Sequence, residues 1–414
     1  MQIDTISTIW TALGAVLVFL MIPAIGLLEA GLVRRVNVVN AMLKGLMSAL
    51  IFLPIWFAVF PIYFGGVLKD GYYPTGGDMG IPSLVYAFFL GVFGAVTLAL
   101  IAAGAPERLR FGGWVLFSTF FAAVQWPLVA SWIWGGGFLS TLGAYFGAPE
   151  LGVRDFAGGT VVHAYAGVAG FIITMILGPS LRKKMPNDGP DHVLAYKEAL
   201  EYRRVEIPYA VIGTVLLFFG WFGFNGGSTL QLNSATQYAL SNTAIAGSLG
   251  GFTTAVLSRI FDKIWSPVMI ISGVLGGLVA ITPLAGFMDT SPAYLVGILA
   301  GVMTYFGTKL VEKYYFIDDP VGSLPVHGFN GIMGSVLVPV FSQKEYAGVS
   351  GLVYGGPPLW LAVQILGMVT ALVFVVATTY LVAWALYRMG YRVKREEELV
   401  GLDALDHGVE RLWD

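Results

Sequence analysis

Two segments of the chain repeat each other, and their pattern decides the fold. Residues 155–170 read Asp-Phe-Ala-Gly-Gly-Thr-Val-Val-His-Ala-Tyr-Ala-Gly-Val-Ala-Gly, and residues 319–334 read Asp-Pro-Val-Gly-Ser-Leu-Pro-Val-His-Gly-Phe-Asn-Gly-Ile-Met-Gly. The identical positions are Asp155/Asp319, Gly158/Gly322, Val162/Val326, His163/His327, Gly167/Gly331 and Gly170/Gly334. Each copy begins or lies within an apolar stretch. The repeat therefore predicts two related halves, each contributing one histidine to an apolar helix.

The composition predicts where these helices lie. Hydrophobic residues make up 57% of the 414 residues and charged residues only 12%, about half the share usual in soluble domains. A soluble fold of this size has too little interior for so much apolar surface, so lipid must cover part of it. The net charge of −2 gives no electrostatic case for nucleic acid. The absence of cysteine excludes disulfides and thiolate metal sites.

We therefore expect an all-α integral membrane protein, and the apolar stretches predict eleven transmembrane helices. The two shortest, which begin at Pro208 and Leu324, are the weakest as isolated predictions. The stretches are Thr8–Val33, Val38–Phe64, Pro82–Gly104, Phe111–Trp134, Phe156–Gly178, Pro208–Phe224, Thr236–Ile260, Ser266–Phe287, Ser291–Val311, Leu324–Phe341 and Pro358–Tyr387.

The distribution of lysine and arginine predicts the orientation. Of 23 such residues, 19 fall in the odd-numbered loops and the tail, and only Lys69, Arg154 and Lys344 fall in the even-numbered loops. Basic loops face the cytoplasm, so the N-terminus lies outside and the C-terminus inside. Since five is odd, two five-helix repeats have opposite orientation, which is a transporter and channel architecture. The predicted regions are a first repeat (1–178), a cytoplasmic loop (179–206), a second, inverted repeat (207–342), an eleventh helix (357–388) and a cytoplasmic tail (389–414).

The repeat predicts that His163 and His327 meet at comparable depth on opposite sides of a pseudo-two-fold axis. Ionisable groups within a membrane are costly and usually line a polar path. The glycines that follow each histidine would let the two helices cross closely. The alternative is that each imidazole bonds a nearby carbonyl and only holds the bundle together. The aromatic surroundings, which include Phe89 and Trp221, suit a small cation or a small neutral molecule. A single aromatic residue in a span is nevertheless more often a packing or interface residue.

At these residues the chain resembles the ammonium transporter, methylammonium permease and Rhesus family, on the ammonium transporter side. The motifs that carry the resemblance span nearly the whole chain. They are Gly26-Leu-Leu-Glu-Ala-Gly-Leu-Val-Arg34 with Asn37, Glu107-Arg-Leu-Arg-Phe111, Trp134-Gly-Gly-Gly137, the segment from Asp155 to His163, Gly220-Trp-Phe-Gly-Phe-Asn-Gly-Gly-Ser228, His327-Gly328, and Gly401-Leu-Asp403 with His407-Gly408 in the tail.

The resemblance implies a plasma-membrane transporter of ammonium, ammonia and methylammonium that is not an enzyme and needs no cofactor. It also implies a homotrimer with one pore per subunit and a PII signalling protein as a possible partner at the cytoplasmic face. The implied site has an outer recruitment site (Phe93, Trp134 and Ser228), a hydrophobic gate (Phe93 and Phe224), two pore histidines (His163 and His327) and a supporting carboxylate (Asp155).

The implied chemistry would explain selectivity. Potassium and ammonium ions are almost the same size, so a site that used only charge and radius would pass both. If ammonium gives up its proton beyond the aromatic site, neutral ammonia can cross a dry passage that potassium cannot enter. Two adjacent imidazoles can relay the proton, because each has one donor and one acceptor nitrogen.

Three features depart from the family pattern. Gly322 stands where ammonium transporters usually have an aspartate, Ala144–Arg154 is an extra stretch in an outer loop, and the 179–206 loop is long, which weakens the case for PII docking. Two other functions stay open. An ammonium sensor would share this fold but carry little flux, and Gly322 keeps that reading open. A passive channel for ammonia or carbon dioxide would not need the cation-recruiting pair Trp134 and Ser228.

Overall fold

A computed structural model of the chain describes residues 1–180, 206–314 and 316–409. Within these residues, ten helices are long and apolar enough to cross a membrane. They are Thr5–Ala30, Arg35–Val67, Ser83–Ala102, Phe111–Ile133, Gly159–Leu177, Ile207–Gly227, Ser234–Phe261, Ser291–Glu312, Leu324–Phe341 and Pro358–Arg388. Large apolar side chains such as Ile62 (78% exposed) and Leu84 (70% exposed) point outward from the bundle, as expected for a surface covered by lipid.

The eighth predicted crossing is shorter than the sequence suggests and is not among these ten. The stretch Ser266–Phe287 forms a helix only over Pro267–Ile281, which is 15 residues. The chain then turns, and the carbonyl of Pro283 accepts the N–H of Phe156 from another loop. Proline has no N–H of its own and interrupts a helix. The stretch at Pro208, which the sequence marks as weak, is by contrast a continuous helix, Ile207–Gly227.

Three of the crossings contain a π-helical turn. One, Phe121–Gln125, lies within the fourth crossing between Phe111–Phe120 and Trp126–Ile133. The other two begin crossings and carry the paired histidines. Gly159–Ala164 precedes helix Tyr165–Leu177, and Leu324–Phe329 precedes helix Asn330–Phe341. Wide turns of this kind are frequent at functional sites. Hydrophobic periodicity does not reveal them.

A small sheet adds to the predicted all-α fold. Its strands are β1 (Gln2–Ile3), β2 (Tyr72–Gly76) and β3 (Met79–Pro82), in the order β1-β3-β2. β1 is parallel to β3, and β2 is antiparallel to it. The hydroxyl of Thr75 donates to Asp4, and Gln231 donates to the Thr75 carbonyl. The sheet therefore ties the chain's first residues to the loop between the second and third crossings.

Small residues hold together the first helices of the two predicted halves. Helix Thr5–Ala30 packs along helix Ile207–Gly227. A Cβ atom at Gly14 would lie 3.0 Å from the Gly227 Cα, and one at Gly31 would lie 2.3 Å from the Ala210 nitrogen. Both distances are too short for a larger residue at these positions. Close backbone approach between helices is a usual packing mode in membranes.

The helices that carry the histidines cross at a second close contact. A Cβ atom at Gly167 would lie 2.2 Å from the nitrogen of Gly328, and one at Gly331 would lie 2.5 Å from the nitrogen of Ala164. This confirms the predicted role of Gly167 and Gly331. The second glycine of each repeat packs elsewhere, with Gly170 against Gly104 and Gly334 against Ala280. The expectation that all four glycines serve one crossing is therefore wrong for the second pair.

The described part of the tail lies on the ends of the second and fourth crossings. It contains two short helices, Arg395–Val400 and Leu402–His407. The carboxylate of Asp403 accepts the backbone N–H groups of Val39 and Asn40 at 3.0 and 2.7 Å. Arg110 pairs with Glu397 and Asp406. Several motifs that carry the family resemblance thus meet at this junction. Most of the predicted 179–206 loop, with His192, lies outside the described residues.

Candidate functional site

An outer cavity of about 300 Å³ opens above the histidines. Half of its lining residues are aromatic, and it contains the three residues expected to recruit ammonium, Phe93, Trp134 and Ser228. The sequence did not single out the other aromatic members, because they come from separate loops and helices. Those members are Tyr73, Tyr86, Phe156, Phe287 and Tyr346, together with Phe89, which was noted only as part of the aromatic surroundings.

Three side chains at the floor of this cavity are held in defined positions. The rings of Phe93 and Trp134 meet edge to face at 6.0 Å between centroids. The Trp134 indole N–H donates to the backbone carbonyl of Asp155 at 2.8 Å. The Ser228 hydroxyl donates to the Phe224 carbonyl at 2.8 Å, so its oxygen lone pairs remain available to accept a hydrogen bond. A cation here would meet aromatic rings and one acceptor oxygen.

Asp155 organises the loop that leads to the first histidine. Its Oδ1 accepts the N–H groups of Gly158 and Gly159, and its Oδ2 accepts those of Thr160 and Val161, all at 2.7–2.9 Å. Helix starts leave such N–H groups without intrahelical partners. The carboxylate supplies those partners, and its own backbone carbonyl holds Trp134. It also borders the outer cavity.

Two stacked phenylalanine rings separate the outer cavity from the histidines. The centroids of Phe93 and Phe224 lie 4.1 Å apart with an interplanar angle of 27°. Both side chains are buried. Rings at this distance are in van der Waals contact, which leaves no opening between them. The structure therefore brings together the two residues expected to form a hydrophobic gate, in a closed arrangement.

The two histidines are in direct contact below these rings. Nδ1 of His163 lies 3.3 Å from Nδ1 of His327, and the ring centroids are 5.4 Å apart. A hydrogen bond between two like nitrogens requires that one donates and the other accepts, so the rings hold opposite tautomers when both are neutral. Among the described residues, the hydrogen bond found for each imidazole is to the other one. The alternative in which each ring bonds a nearby carbonyl does not describe this geometry.

A tryptophan that the sequence did not assign to the site holds the first imidazole. The Trp221 ring stacks on His163 at 5.1 Å with an angle of 17°. Its indole N–H donates to the Thr282 hydroxyl at 2.8 Å. Phe224 also packs on the imidazole, at 5.6 Å. Trp221 lies in the same motif as Phe224, Gly220-Trp-Phe-Gly-Phe, and the sequence placed it only among the aromatic surroundings of the histidines.

The space around the histidine pair is narrow and apolar. A cavity of about 10 Å³ lies against both imidazoles, close to the minimum that holds one water. Apart from the histidines and Trp221, its lining is aliphatic or thioether. The lining residues are Met21, Ile25, Leu28, Val96, Leu100, Leu217 and Leu275. An ion that entered this space would lose nearly all its hydration without gaining oxygen ligands, which is a large cost.

Comparison with known proteins agrees with this architecture. The sequence model of the Ammonium Transporter Family matches residues 9–411. An ammonium transporter of Aquifex aeolicus is 34% identical, over 98% of this chain and 93% of its own, and an ammonium transporter of Bacillus subtilis is 32% identical, over 98% of both. Two solved structures are similar. A Sensor Amt Protein has a TM-score of 0.82 at 27% identity, covering 97% of this chain and 98% of its own. Candida albicans Mep2 has a TM-score of 0.80 at 28% identity, covering 94% and 86%.

The match extends over nearly the full chain, and the helices provide the membrane crossings that such a protein requires. The family is one of transporters and not of enzymes. This chain therefore belongs to the ammonium transporter family and is a multi-pass protein of the plasma membrane.

Proposed function

We propose that this protein takes up ammonium by recruiting the cation at Phe93, Trp134 and Ser228, removing its proton, and conducting ammonia past His163 and His327. The observation that carries the proposal is the contact between the two imidazoles beneath a closed aromatic gate. Methylammonium would follow the same route, since it keeps three of the four N–H groups of ammonium and replaces only one hydrogen by a methyl group.

The outer site suits a small cation with hydrogen-bond donors. Aromatic faces attract cations by roughly 0.5–2 kcal/mol. The Ser228 oxygen can accept an N–H bond, which a potassium ion cannot donate. Asp155 supports the site without needing to touch the substrate, because its oxygens are already occupied by four backbone N–H groups.

The geometry of the histidines supports a proton relay. Nε2 of His163 has no hydrogen-bond partner among the residues that the structure describes, so in one tautomer it can accept a proton from ammonium. The Nδ1 proton of His163 then passes to Nδ1 of His327, and His327 loses the proton on its own Nε2. One proton enters and one leaves, and both rings end neutral with exchanged tautomers. The transported charge is then one proton for each ammonia.

We further propose the topology that the sequence predicts. Helix Pro267–Ile281 serves as the eighth of eleven crossings despite its length, because the turns that follow it pack inside the bundle and Leu284 is fully buried. The regions are then two inverted five-helix repeats (1–178 and 207–342), a cytoplasmic loop (179–206), an eleventh helix (357–388) and a cytoplasmic tail (389–414). The N-terminus lies outside. We also propose a homotrimer and a PII protein as a partner at the cytoplasmic face.

A sensor is the second candidate function. The similarity to a Sensor Amt Protein, with a TM-score of 0.82, supports it, because that fold serves sensing as well as transport. A gas channel is the third, but a cation-recruiting site at the outer mouth would give it no advantage.

Recordings on solid-supported membranes separate these functions. Purified protein is reconstituted in liposomes at two lipid-to-protein ratios and given pulses of ammonium or potassium, with empty liposomes as the control. If the protein transports ammonium, ammonium pulses should give a sustained current, which decays more slowly at the higher lipid-to-protein ratio. Potassium pulses should give no current. A brief charge displacement that does not depend on this ratio would indicate a sensor. Ammonia flux without current would indicate a gas channel.

A further inference from the structure

One carboxylate inside the bundle has no role in the function proposed above. Glu29 lies one residue before the end of helix Thr5–Ala30, and only 1% of it is exposed. Its Oε1 atom is buried and has no hydrogen-bond partner in the described part of the chain. Buried carboxylates are normally paired or fully hydrogen-bonded, because an unpaired one is costly. Such an exception needs an explanation.

The carboxylate and the second histidine border the same small space. A cavity of about 10 Å³, on the scale of a single water, is lined by Glu29 and His327 together with Gly322 and Ser323. The Ser323 hydroxyl is also buried without a partner. The side chains that complete the lining include the apolar Ile25 and Leu28. This inner cavity therefore holds two unpartnered polar groups beside the imidazole.

The buried cations Lys44 and Arg108 do not form an ion pair with Glu29. Lys44 interacts with it electrostatically, but the Lys44 ammonium donates to the Leu109 carbonyl at 2.7 Å. Arg108, also buried, donates to the Gly178 and Asp318 carbonyls. Among the described residues, none of the ion pairs includes Glu29. Its oxygen thus remains free to receive a proton. Burial favours the protonated form of this carboxyl group, and Lys44 opposes that preference only in part.

We infer that Glu29 is the acceptor that takes the proton from His327 at the inner end of the passage. This inference rests on the proposed ammonium transport. The Nε2–H bond of His327 breaks as a water in the inner cavity accepts that proton, and the same water gives one of its own to the Glu29 carboxylate. Glu29 becomes a neutral acid and later releases the proton to the cytoplasm. Ammonia, which has passed separately, is protonated again in bulk water.

The test replaces the carboxylate by its isosteric amide. In Glu29→Gln proteoliposomes, we expect the sustained ammonium current to fall to about a tenth or less of wild type, since relay groups typically contribute 10²–10⁴-fold. The initial charge displacement should remain, because recruitment and the first proton transfer occur above the block. The unfolding temperature should also stay unchanged, because Oε1 makes no hydrogen bond that the amide would lose.

Two matched variants isolate the carboxylate. Glu29→Asp keeps the acid and should retain most of the current. Glu312→Gln removes an exposed carboxylate at the end of helix Ser291–Glu312 and should behave as wild type. An E29Q variant with wild-type current would overturn the inference. So would equal losses of current in E29Q and E29D accompanied by a lower unfolding temperature, since that result would indicate a packing role.

A relocation variant tests whether the cavity needs a carboxylate rather than this residue. Gly322 lines the same cavity, and a Cβ there would meet only Pro325, at 4.0 Å. Its φ of +73° is one that aspartate adopts more readily than most residues. Glu29→Gln/Gly322→Asp should therefore recover several-fold more current than E29Q alone. A folded double variant without recovery would overturn the cavity-based assignment. A wild type that lacks sustained ammonium current would instead overturn the proposed function, and this inference with it.

Discussion

The two repeated segments have the same backbone plan but differ in how firmly they hold their histidines. Asp155 accepts four backbone N–H groups, whereas the equivalent Asp319 accepts two, from Ser323 and Leu324, both at 2.8 Å. His163 is fully buried, while His327 is 5% exposed. The first segment is thus the more tightly bonded of the two.

The difference extends to the ring contacts. His163 is stacked on Trp221 and packed by Phe224. Within the described ranges, His327 contacts only the ring of His163. His327 also borders the inner cavity that contains Glu29. A relay requires a fixed entry, where the substrate must be oriented, and an exit that can exchange protons with water. The asymmetry between the segments matches these two requirements.

The largest expected effect comes from removing the first carboxylate. Asp155→Ala leaves four buried N–H groups without acceptors, and each costs about 1–3 kcal/mol. We expect poor folding and loss of transport. Asp319→Ala leaves two N–H groups without acceptors, and these are only partly buried. It should lower the unfolding temperature by at most half as much. Thermal unfolding of both purified variants measures the change in unfolding temperature. A greater decrease in the Asp319 variant would contradict the proposal that the first segment is the more tightly bonded.

The glycines that follow each aspartate should also differ. Gly158 has φ +120° and a Cβ there would lie 2.5 Å from the Val162 side chain, whereas Gly322 has φ +73° and open space. Gly158→Ala adds backbone strain and overpacking, together about 2–5 kcal/mol. Gly322→Ala adds only about 1–2 kcal/mol of strain. Chemical denaturation measures the free energy of unfolding of the two variants. Similar losses of stability would show that the space around the glycine does not determine the effect of the substitution.

Alanine variants of the two histidines should fail at different steps of transport. His163→Ala removes the group proposed to take the proton from ammonium, so the sustained current should fall more than about tenfold. His327→Ala should lower the sustained current as well, but its initial charge displacement should be larger than that of His163→Ala. Solid-supported-membrane recordings measure both components. A His163→Ala variant with full ammonium current that still excludes potassium would refute the relay.

The smallest expected effect concerns two hydroxyls. Thr160 donates to the Ser335 hydroxyl at 2.9 Å, so Thr160→Val should cost about 1 kcal/mol. The Ser323 hydroxyl is buried without a partner, so Ser323→Ala should be neutral or slightly stabilising. Unfolding temperatures of the two variants provide the comparison. A destabilised Ser323→Ala would mean that this hydroxyl has a bonding role after all.

Much of the site could be predicted because the repeat is visible in the amino-acid sequence. The offset between the two aligned segments places His163 and His327 at equivalent positions, and the structure brings their Nδ1 atoms to 3.3 Å. The positions of Phe93, Trp134, Ser228 and Phe224 came from motif resemblance, since isolated aromatic residues carry no positional signal. The stacking of Trp221 on His163 could not be foreseen, because ring orientation depends on contacts between distant helices.

The helices and strands also divide into features that the sequence predicts and features that it does not. Long apolar stretches such as Val38–Phe64 match helices closely, because burial in lipid requires continuous apolar length. The helix Pro267–Ile281 is shorter than its apolar stretch, because Pro283 falls inside that stretch and the chain turns there within a protein interior that is also apolar. The pairing of β1 with β3 was not predictable, since two-residue strands leave no alternating pattern.

The contact between Phe93 and Phe224 has a kinetic consequence. With the two rings in contact and both buried, no continuous column of water or substrate can stand between the outer cavity and the histidines. On the route proposed above, every passage would then require a separate displacement of these rings, and molecules would cross singly. Uptake through such a route saturates with concentration and has a steep temperature dependence, so the protein should behave in flux measurements like a carrier with a turnover number rather than an open pore.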